Sequence, residues 1–383
     1  MIFSSERQTV RFLHTGDWHL DSPFSRLSPV QSEERRRELR DTFSRMTALI
    51  GEHAVDLVLI AGDLFDREFV TADTADCLLS AFRAHPRCRF IIAPGNHDPY
   101  RPDSLYASDR LPDNVFVFSS EALSHFDFPD LSAVVYGWAF LSDRLETSPL
   151  SGRAVADPSR LNLLCAHGDL GVPLSKYAPV TAEDVSRFGA QYAAFAHKHV
   201  PIPPTPIGGG LYAYCGCPEG RSFDEPGRGG VYLGTATNTD GTWRVTTERI
   251  ELSHRHYESI TVDMTGADTR TEVARRLKDA VQKNGFGADC ALRVTMTGSV
   301  PPNLAVPREA DGGQLGLYYL ELIDHTTPNY DALYLEKDMT ARGELYRSLL
   351  PKLTGGTAEE RATAARALRM GLSALAGEDI TAL

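Results

Sequence analysis

The segment VRFLHTGDWH, residues 10–19, joins a short apolar run to a glycine and to two polar side chains, Asp17 and His19. An apolar run of this length that ends in a polar turn is typical of a buried strand. The same arrangement recurs four times further along the chain, at residues 57–60, 90–92, 161–165 and 192–195. The sequence therefore predicts a sheet protein in which several strands deliver polar residues at their carboxyl ends.

Helical stretches alternate with these runs. Residues 32–52 and 71–83 carry apolar side chains at spacings of three and four, which indicates helices with one buried face. A third helix is predicted to begin at Thr181, because Asp184 follows it three residues later as in an N-terminal cap. Alternating strands and helices predict an α/β fold, and such folds bind ligands at the carboxyl ends of their strands.

The pattern changes after Val200, where short strands separated by glycine and proline begin. We expect strands at residues 231–234 and 243–250 and a domain boundary near His254. Beyond it the sequence predicts a strand, a helix and a strand, then a flexible connection, then two helices, at residues 257–264, 269–283, 290–296, 299–316, 330–350 and 357–376. We therefore expect three domains: a main domain over 1–253, a small α+β domain over 254–310 and a C-terminal helical segment over 311–383.

Composition narrows the class of protein. The 383 residues have a formal net charge of −12, which argues against a basic surface for indiscriminate duplex binding, although carboxylates that hold a cation count as negative here. Six cysteines without a C-x-x-C pair indicate neither a disulfide framework nor a thiolate zinc site. No apolar run approaches the roughly 18 residues of a membrane span, and residues 1–10 lack the apolar stretch of a secretory signal. We therefore expect a cytoplasmic protein.

The polar residues after the five runs are all potential metal ligands or acids. If the carboxyl ends of the strands meet at one rim, these side chains converge there: Asp17, His19, Asp63, Asn96, His97, Asp98, His167, His197 and His199. Carboxylates so close together would repel one another and lose hydration. The arrangement is therefore favourable only with cations bound among them.

Two divalent ions fit this set of ligands. Asp63 would bridge both ions; one ion would also be held by Asp17, His19 and His199, and the other by Asn96, His167 and His197. Imidazole and oxygen ligands without thiolate favour manganese first, with iron or zinc as alternatives, over calcium. Metals roughly 3.5–4 Å apart activate a water and clamp a phosphate for in-line displacement. His97 is left over as a candidate general acid, with Asp98 expected to orient its ring.

The ordered motifs D-x-H, G-D, G-N-H-D, A-H-G and H-x-H resemble the calcineurin-like metallophosphoesterase superfamily. Fuller phrases resemble the SbcD-type DNA-repair nucleases, especially their YhaO-like branch: LHTGDWHLDSPF (13–24), AGDLFDR (61–67), APGNHDP (93–99), KYAPVTAEDV (176–185), AFAHKHVP (194–201) and YCGCPEGRSFDEPGRGGVYLG (214–234). The resemblance covers about residues 10–252. It implies an α+β four-layer sandwich, a β-sandwich flanked by helices, with a small capping domain and C-terminal helices.

The same resemblance implies a function and partners. From the SbcD-type nucleases it implies manganese-dependent exonuclease or endonuclease action on DNA ends and homodimerisation. It also implies C-terminal helices that dock on an SMC-like ATPase of the YhaN or SbcC type. Two positions depart from the family pattern. Ala196 stands where members usually carry glycine, which adds a methyl group near the metals. Position 66 is Asp, as in the bacterial branch, where other members of the broader family have a His near the metals, and the role of Asp66 is left unassigned.

Basic residues leave two questions open. Arg221, in the loop PEGRSF, is a candidate contact to a substrate phosphate, with a role in stabilising the turn as the alternative. The arginines at positions 35, 36, 37 and 40 form either a phosphate-contacting helix or, more simply, a solvated face paired with the glutamates at 33, 34 and 38.

Three hypotheses for the function remain. The principal one is a manganese-dependent DNA nuclease subunit of a DNA-repair complex, which hydrolyses phosphodiesters by attack of a hydroxide activated by two metals. The second keeps this chemistry on a small phosphodiester such as a cyclic nucleotide. In the third, the chain is a regulatory scaffold that acts on an SMC-like ATPase through its C-terminal helices.

Overall fold

The structure is a computed structural model that describes residues 8–25, 27–66, 70–301, 304, 306–307, 311–328 and 332–377. The chain divides into two compact units. The first contains residues 1–259 and 288–292, and the second contains residues 260–287 and 293–383. The predicted boundary near His254 lies inside one continuous strand, so the first unit extends to Ser259.

The secondary structure of the first unit follows the predicted alternation. In chain order its elements are β1 (Thr9–Thr15), α1 (Pro29–Glu52), β2 (Leu57–Ile60), α2 (Ala72–Ala84), β3 (Arg89–Ile92), β4 (Val115–Val117), β5 (Ser124–Phe128), β6 (Ala133–Gly137), β7 (Leu161–His167), α3 (Ala182–Phe188), β8 (Tyr192–Ala196), β9 (Ile202–Ile207), β10 (Gly210–Tyr214), β11 (Gly227–Thr239) and β12 (Thr242–Asp263). The cap predicted at Thr181 is present, because its side chain accepts a hydrogen bond from the Asp184 N–H.

Two sheets organise this unit. In the first, strands lie in the order β12-β11-β1-β2-β3-β4, with β1 to β4 parallel and β11 antiparallel to β1. In the second the order is β5-β6-β7-β8-β10-β9, with β6, β7, β8 and β10 parallel. The five strands predicted from apolar runs are thus divided three and two between the sheets, rather than lying in one.

The two sheets pack face to face around the main core. Side chains from both sheets meet there, including Phe12, Leu59 and Ile91 from the first and Leu163 and Ala194 from the second. Side chains alternate along a strand, and those on the opposite face of each sheet are apolar as well. That face therefore needs its own cover.

Helices provide that cover on both outer faces. Helices α1 and α2 bury Phe43 and Phe82 against the first sheet, and α3 buries Phe188 against the second. The layers therefore run helix, sheet, sheet, helix, which confirms the predicted four-layer sandwich. Helix α1 begins before the predicted residue 32, because Ser28 and Gln31 form a capping box and Pro29 occupies the first turn.

The second unit contains the last residues of β12 and the remaining elements, apart from the first residues of β13. They are α4 (Arg270–Asn284), β13 (Cys290–Thr297), β14 (Ser299–Val300), β15 (Tyr319–Asp324), β16 (Thr327–Pro328), α5 (Ala332–Lys337), α6 (Ala341–Gly355) and α7 (Ala358–Leu375). Strand β13 lies between β12 and β15. Helices α5 to α7 share a small core of Leu335, Tyr346 and Leu372.

Several predictions beyond residue 250 were wrong in detail. The strands predicted at 243–250 and 257–264 are one strand, β12. Where the structure describes the expected connection 299–316, it contains β14 and a short 3₁₀ turn at Gly312–Leu315, and residues 302–303, 305 and 308–310 lie outside the described residues. The helix predicted over 330–350 is divided into α5 and α6, because Thr340 caps a new helix, and residues 330–331 lie outside the described residues.

Two predictions from composition can also be compared with the structure. Each of the six cysteines is a free thiol, and all except Cys77 are buried. Among the residues that the structure describes, none of the helices combines the length and the apolar character needed to cross a bilayer.

Candidate metal centre

The loops that follow five strands of the two sheets bring the predicted ligands together. Asp17 and His19 follow β1, Asp63 follows β2 and Asn96 follows β3, while His167 ends β7 and both His197 and His199 follow β8. The set thus comes from the carboxyl ends of strands in both sheets of the sandwich.

The backbone at these turns adopts conformations that side chains other than glycine rarely take. Asp17, His19 and Asp63 have φ values of 48°, 45° and 50°, and His197 has a φ of 99°. Left-handed conformations cost energy and are retained where surrounding structure enforces them, often at functional sites. Here hydrogen bonds fix the turns, since the N–H of Asp17 donates to Gly62 O at 3.0 Å.

Three glycines beside the ligands are required by close packing. A Cβ at Gly62 would lie 2.6 Å from His167 Nδ1, and a Cβ at Gly95 would collide with the Asp63 carboxylate. At Gly16 a Cβ would lie 2.5 Å from the Ala196 Cβ. The methyl group that distinguishes Ala196 from the family pattern is therefore accommodated by the glycine opposite it.

One group of potential ligands surrounds the first predicted metal position. Asp17, His19, Asp63 and His199 offer ligand atoms that all lie within 4.8 Å of one another. Nε2 of His19 lies 3.2 Å from Nε2 of His199 and 3.7 Å from Oδ2 of Asp63. These four residues are the ones predicted for this ion.

A second group shares Asp63 with the first. Asp63, His167 and His197 also offer ligand atoms within 4.8 Å of one another. The Asn96 Oδ1 lies 2.9 Å from His167 Nε2 and 3.2 Å from His197 Nδ1, and Asp63 Oδ2 lies 3.4 Å from His167 Nε2. The structure thus places Asp63 between two groups, as the bridging assignment requires.

The ligand atoms at the centre are mostly acceptors, so cations satisfy them better than they can satisfy one another. Asp63 Oδ2 is buried and has no hydrogen-bond partner among the described residues. His167 Nδ1 faces the Ala61 carbonyl at 2.9 Å, so its proton lies there and Nε2 presents a lone pair towards Oδ1 of Asn96. The facing nitrogens of His19 and His199 need a proton or a cation between them. A divalent metal at each position satisfies these acceptors.

Burial also shifts the pKa values of the ligands. Loss of solvent raises the pKa of Asp17 to about 6 and lowers that of His19 to about 3. Burial, together with the charges of Asp98 and Asp17, raises the pKa of Asp63 well above its usual range. Burial lowers the pKa of His167 well below its ordinary value. In the absence of metal, Asp17 and Asp63 therefore resist ionisation, and His19 and His167 resist protonation.

Groups behind the ligands hold the imidazoles in place. Asp66 Oδ1 accepts from His19 Nδ1 at 3.1 Å, and Glu225 Oε1 lies 2.8 Å from His199 Nδ1. Each carboxylate draws the imidazole proton to Nδ1 and leaves Nε2 directed at the centre. This second layer is typical of metal-binding histidines.

His97 lies beside the centre, as predicted, but its partner differs from the prediction. Its Nδ1 lies 2.9 Å from Asp66 Oδ1, and its side chain is 46% exposed. Burial tends to raise the pKa of Asp66, but its hydrogen bonds with His19 and His97 outweigh this effect and hold the pKa well below the usual range. Asp66, which had no assigned role, is thus the carboxylate that positions the His97 ring.

The expectation that Asp98 orients His97 was wrong. The Asp98 carboxylate accepts hydrogen bonds from the backbone N–H groups of Asp63 at 3.1 Å and Leu64 at 2.6 Å, and also from the Tyr106 hydroxyl. These donors use both of its oxygens, and among the described residues no hydrogen bond joins it to the His97 ring. Asp98 therefore shapes the turn that carries Asp63.

Arg221 lies near the metal centre, but its guanidinium pairs with acids of the chain. Nη2 lies 2.6 Å from Glu225 Oε1, and Nη1 lies 3.8 Å from Asp66 Oδ2. The Arg221 N–H also donates to Glu225 Oε2 at 2.7 Å. Arg221 therefore links the two carboxylates that position His19 and His199, and these contacts favour the turn-stabilising alternative over a phosphate contact.

The other arginine cluster also has its partners in the fold. Arg36 and Arg40 pair with Glu33 on the surface of α1, as the simpler interpretation predicts. Arg35 instead is fully buried and bonds to Glu219 Oε1 at 3.1 Å. No sequence pattern indicated this pair, because Glu219 lies 184 positions away.

Sequence reasoning missed two more residues beside the histidines. Asp169 Oδ2 lies 3.7 Å from His197 Nε2, and the Tyr177 ring packs on the His197 ring with centroids 4.5 Å apart. Asp169 directly follows the A-H-G motif, so the phrase AHGD could have indicated it. Tyr177 lies within the quoted phrase KYAPV, but nothing in that phrase indicated a contact with a ligand.

Comparisons with known proteins agree with this geometry. A family model described as calcineurin-like phosphoesterase matches residues 10–224, more than half of the chain. A Bacillus subtilis (strain 168) protein named uncharacterized metallophosphoesterase YhaO is 28% identical over 312 residues, which cover 76% of this chain and 72% of that protein. These matches confirm the resemblance found in the motifs.

Two further relatives carry names that refer to nucleic acids. The Halobacterium salinarum protein named DNA double-strand break repair protein Mre11 is 24% identical over 299 residues, 76% of this chain and 71% of that protein. A Rhodobacter capsulatus protein, named as a subunit of the nuclease SbcCD, is 32% identical over 94 residues, which cover 24% of this chain and 22% of that protein.

Proposed function

Because the chain belongs to the calcineurin-like phosphoesterase family, we propose that it hydrolyses phosphodiester bonds of DNA with two divalent metal ions. The observation that carries this proposal is the pair of ligand groups that share the buried, unpartnered carboxylate of Asp63. Manganese is the first choice of metal, with iron or zinc as alternatives, because the ligands are imidazoles and oxygens without thiolate.

The two groups of potential ligands support the division between two ions that the sequence predicts. Asp63 would contact both ions, with Asp17, His19 and His199 on one side and Asn96, His167 and His197 on the other. Two such ions supply charge stabilisation for a phosphate and lower the pKa of a water. The chain's own contribution is to fix these ligands, since Asp66 and Glu225 hold the Nδ1 sides of His19 and His199.

His97 is the proposed proton donor. As water adds to phosphorus and the bond from phosphorus to the leaving oxygen breaks, the leaving oxygen needs a proton, and the half-exposed His97 ring can supply it. Asp66 orients the ring by its 2.9 Å contact to Nδ1, so Nε2 is the nitrogen directed away from the carboxylate. Asp66 is thus a positioning residue for this step.

DNA is proposed as the substrate on the strength of relatives rather than of surface charge. Two relatives are named a DNA double-strand break repair protein and a nuclease subunit. The net charge of −12 favours the alternative of a small phosphodiester, because DNA contacts are made mainly by lysine and arginine. A direct comparison of the two kinds of substrate therefore decides between these functions.

The predicted partners are also proposals. A relative is named as a subunit of the nuclease SbcCD, which supports an SMC-like ATPase partner for this chain. Met339 and Leu375, in the C-terminal helical region, are 91% and 50% exposed and could contribute to such docking. Sedimentation of the full-length chain tests the predicted homodimer.

The test measures hydrolysis of single-stranded DNA, double-stranded DNA and a cyclic nucleotide by the full-length chain with manganese. Asp63→Ala should reduce DNA hydrolysis by on the order of 10³-fold or more and lower the bound metal. His97→Ala should reduce it by about 10²-fold or more while the metal content is unchanged. Equal activity of the parent and both variants would refute the proposal. Preference for the cyclic nucleotide would select the alternative, and a parent inactive on every substrate would favour the scaffold hypothesis.

A further inference from the structure

A cleft of about 460 Å³ opens beside His97, and none of the predicted metal ligands lines it. The described residues that line it belong to the first unit. Besides His97, they include Phe65, Leu105, Tyr106, Leu141 and Ser142. Binding sites for small organic groups commonly have volumes of about 300–1,000 Å³, so this cleft is large enough for one such group.

The floor of the cleft is apolar and firmly held. The rings of Phe65 and Tyr106 lie with their centroids 5.4 Å apart, and both are almost completely buried. Tyr106 Oη donates to Asp98, so the polar end of this ring is already satisfied. Leu141 is 43% exposed and presents an apolar side chain at the rim. A flat organic ring could therefore pack here without displacing a polar contact.

Besides His97, the acidic and basic side chains among the described residues that line the cleft are Arg101, Asp98 and Asp143, so the lining has no excess of positive charge. Arg101 lines it, and Nε of this residue lies 3.3 Å from Asp103 Oδ1. Asp143 also lines it and lies 3.7 Å from the Arg144 Nε. A second phosphate would need an excess of positive charge, which these pairs do not supply. Hydroxyl groups of Ser104 and Ser142 add polar atoms that suit the edges of a neutral ring or sugar.

The position of His97 decides which part of the substrate enters the cleft. His97 belongs both to the cleft wall and to the edge of the metal centre, where its ring centroid lies 4.8 Å from that of His19. A proton donor must lie beside the leaving oxygen. The group attached to that oxygen therefore lies beside His97, which also lines the cleft.

We propose that this cleft binds the uncharged nucleoside on the leaving side of the scissile phosphodiester. The orientation of the nucleoside on the leaving side rests on the proposed function, but nucleoside binding by itself does not. Nucleoside binding in this cleft makes Leu141 a specificity-determining residue, because its side chain is an exposed apolar part of the lining and is not among the predicted metal ligands.

The test fills the cleft with Leu141→Trp in the full-length chain. Val30→Trp is the matched control, because Val30 is 77% exposed on α1 and does not line the cleft. With manganese, KM is measured for two thymidines joined by one phosphodiester and for dimethyl phosphate, whose leaving group carries no ring. Leu141→Trp should raise KM about tenfold for the dinucleotide only, and Val30→Trp should change neither KM by more than about twofold.

Binding of thymidine, followed by saturation-transfer NMR without metal, makes the test independent of activity. Binding should be present in the parent and in Val30→Trp and lost in Leu141→Trp. An unchanged dinucleotide KM, equal losses on both substrates, or thymidine binding that survives in Leu141→Trp would overturn the cleft proposal and leave the proposed function standing. If the parent hydrolyses neither substrate but binds thymidine, and Leu141→Trp removes that binding, the proposed function is overturned and the nucleoside site stands.

Discussion

Two clusters of buried charged side chains in the first unit, the Arg35 cluster and the metal centre, differ in how their charges are satisfied. In the Arg35 cluster, formed by Arg35, Thr42, Glu219 and their neighbours, both oxygens of Glu219 have protein partners: Oε1 accepts from Arg35 at 3.1 Å, and Oε2 accepts from Thr42 Oγ1 at 2.9 Å. In the metal centre, Asp63 Oδ2 has no hydrogen-bond partner among the described residues. Both carboxylates are almost completely buried.

The difference separates a structural cluster from a functional one. A buried ion pair that contains its own counter-charge is complete without any ligand, and its main effect is on folding. A buried carboxylate without a counter-charge is unfavourable until a cation arrives, so its presence indicates a binding site. The carboxylates of Glu219 and Asp63 are equally buried, and the presence of a counter-charge and of hydrogen-bond partners distinguishes the two clusters.

The largest expected effect comes from breaking the satisfied cluster. Glu219→Ala removes the fully buried acidic partner of the Arg35 guanidinium, which keeps only its pair with Glu38 among the described acids, and should lower the free energy of unfolding by about 3–5 kcal/mol. Urea denaturation measures the change. Glu33→Ala is the control, because it removes surface pairs with Arg36 and Arg40 that are worth at most about 1 kcal/mol. A loss for Glu219→Ala no larger than that of the control would show that burial of the pair does not matter.

An intermediate effect is expected from the carboxylate behind His199. Glu225→Gln keeps the size of the side chain but weakens its hold on the Nδ1 proton of His199 and its pairing with Arg221. Manganese affinity, measured by calorimetry, should fall by about 10–100-fold. Glu183→Gln, which alters an exposed pair with Arg187, should leave the affinity unchanged. Equal affinities for parent and Glu225→Gln would remove Glu225 from the metal centre.

The smallest expected effect is a stabilisation of the metal-free protein. It tests most directly whether Asp63, unlike Glu219, lacks a partner. Asp63→Asn replaces the unpartnered oxygen with an amide that can donate towards His167 Nε2, 3.4 Å away. In metal-free protein at neutral pH, this change should raise the free energy of unfolding by about 1–2 kcal/mol. Thermal or urea unfolding in a chelator measures it. Destabilisation of the metal-free protein by Asp63→Asn would contradict the view that Asp63 lacks a partner.

Much of the metal centre could be predicted from the sequence, because each ligand follows an apolar run directly. Asp63 and His167 lie at strand ends, and the carboxyl ends of parallel strands collect ligands whatever the rest of the chain does. The division of the strands between two sheets did not alter that outcome. The runs identify strands, but they carry no information on which strands are neighbours.

The contacts behind the ligands could not be predicted in the same way. His97 and Asp98 are adjacent in sequence, yet adjacent side chains at a turn point in different directions, and the ring bonds to Asp66 instead. Arg221 and Glu219 lie in one loop but join different clusters, since their partners come from distant elements. Such pairings depend on tertiary packing, which local sequence patterns do not encode.

The proposed chemistry depends above all on Asp63 bridging two metal ions held by loops from both sheets. Anomalous scattering at the manganese edge, from crystals of the full-length chain soaked in manganese, tests this directly. We expect two peaks that flank the Asp63 carboxylate, one beside Asp17, His19 and His199 and the other beside Asn96, His167 and His197. A map without peaks at this edge, or with a single peak that Asp63 does not contact, would contradict the bridging role.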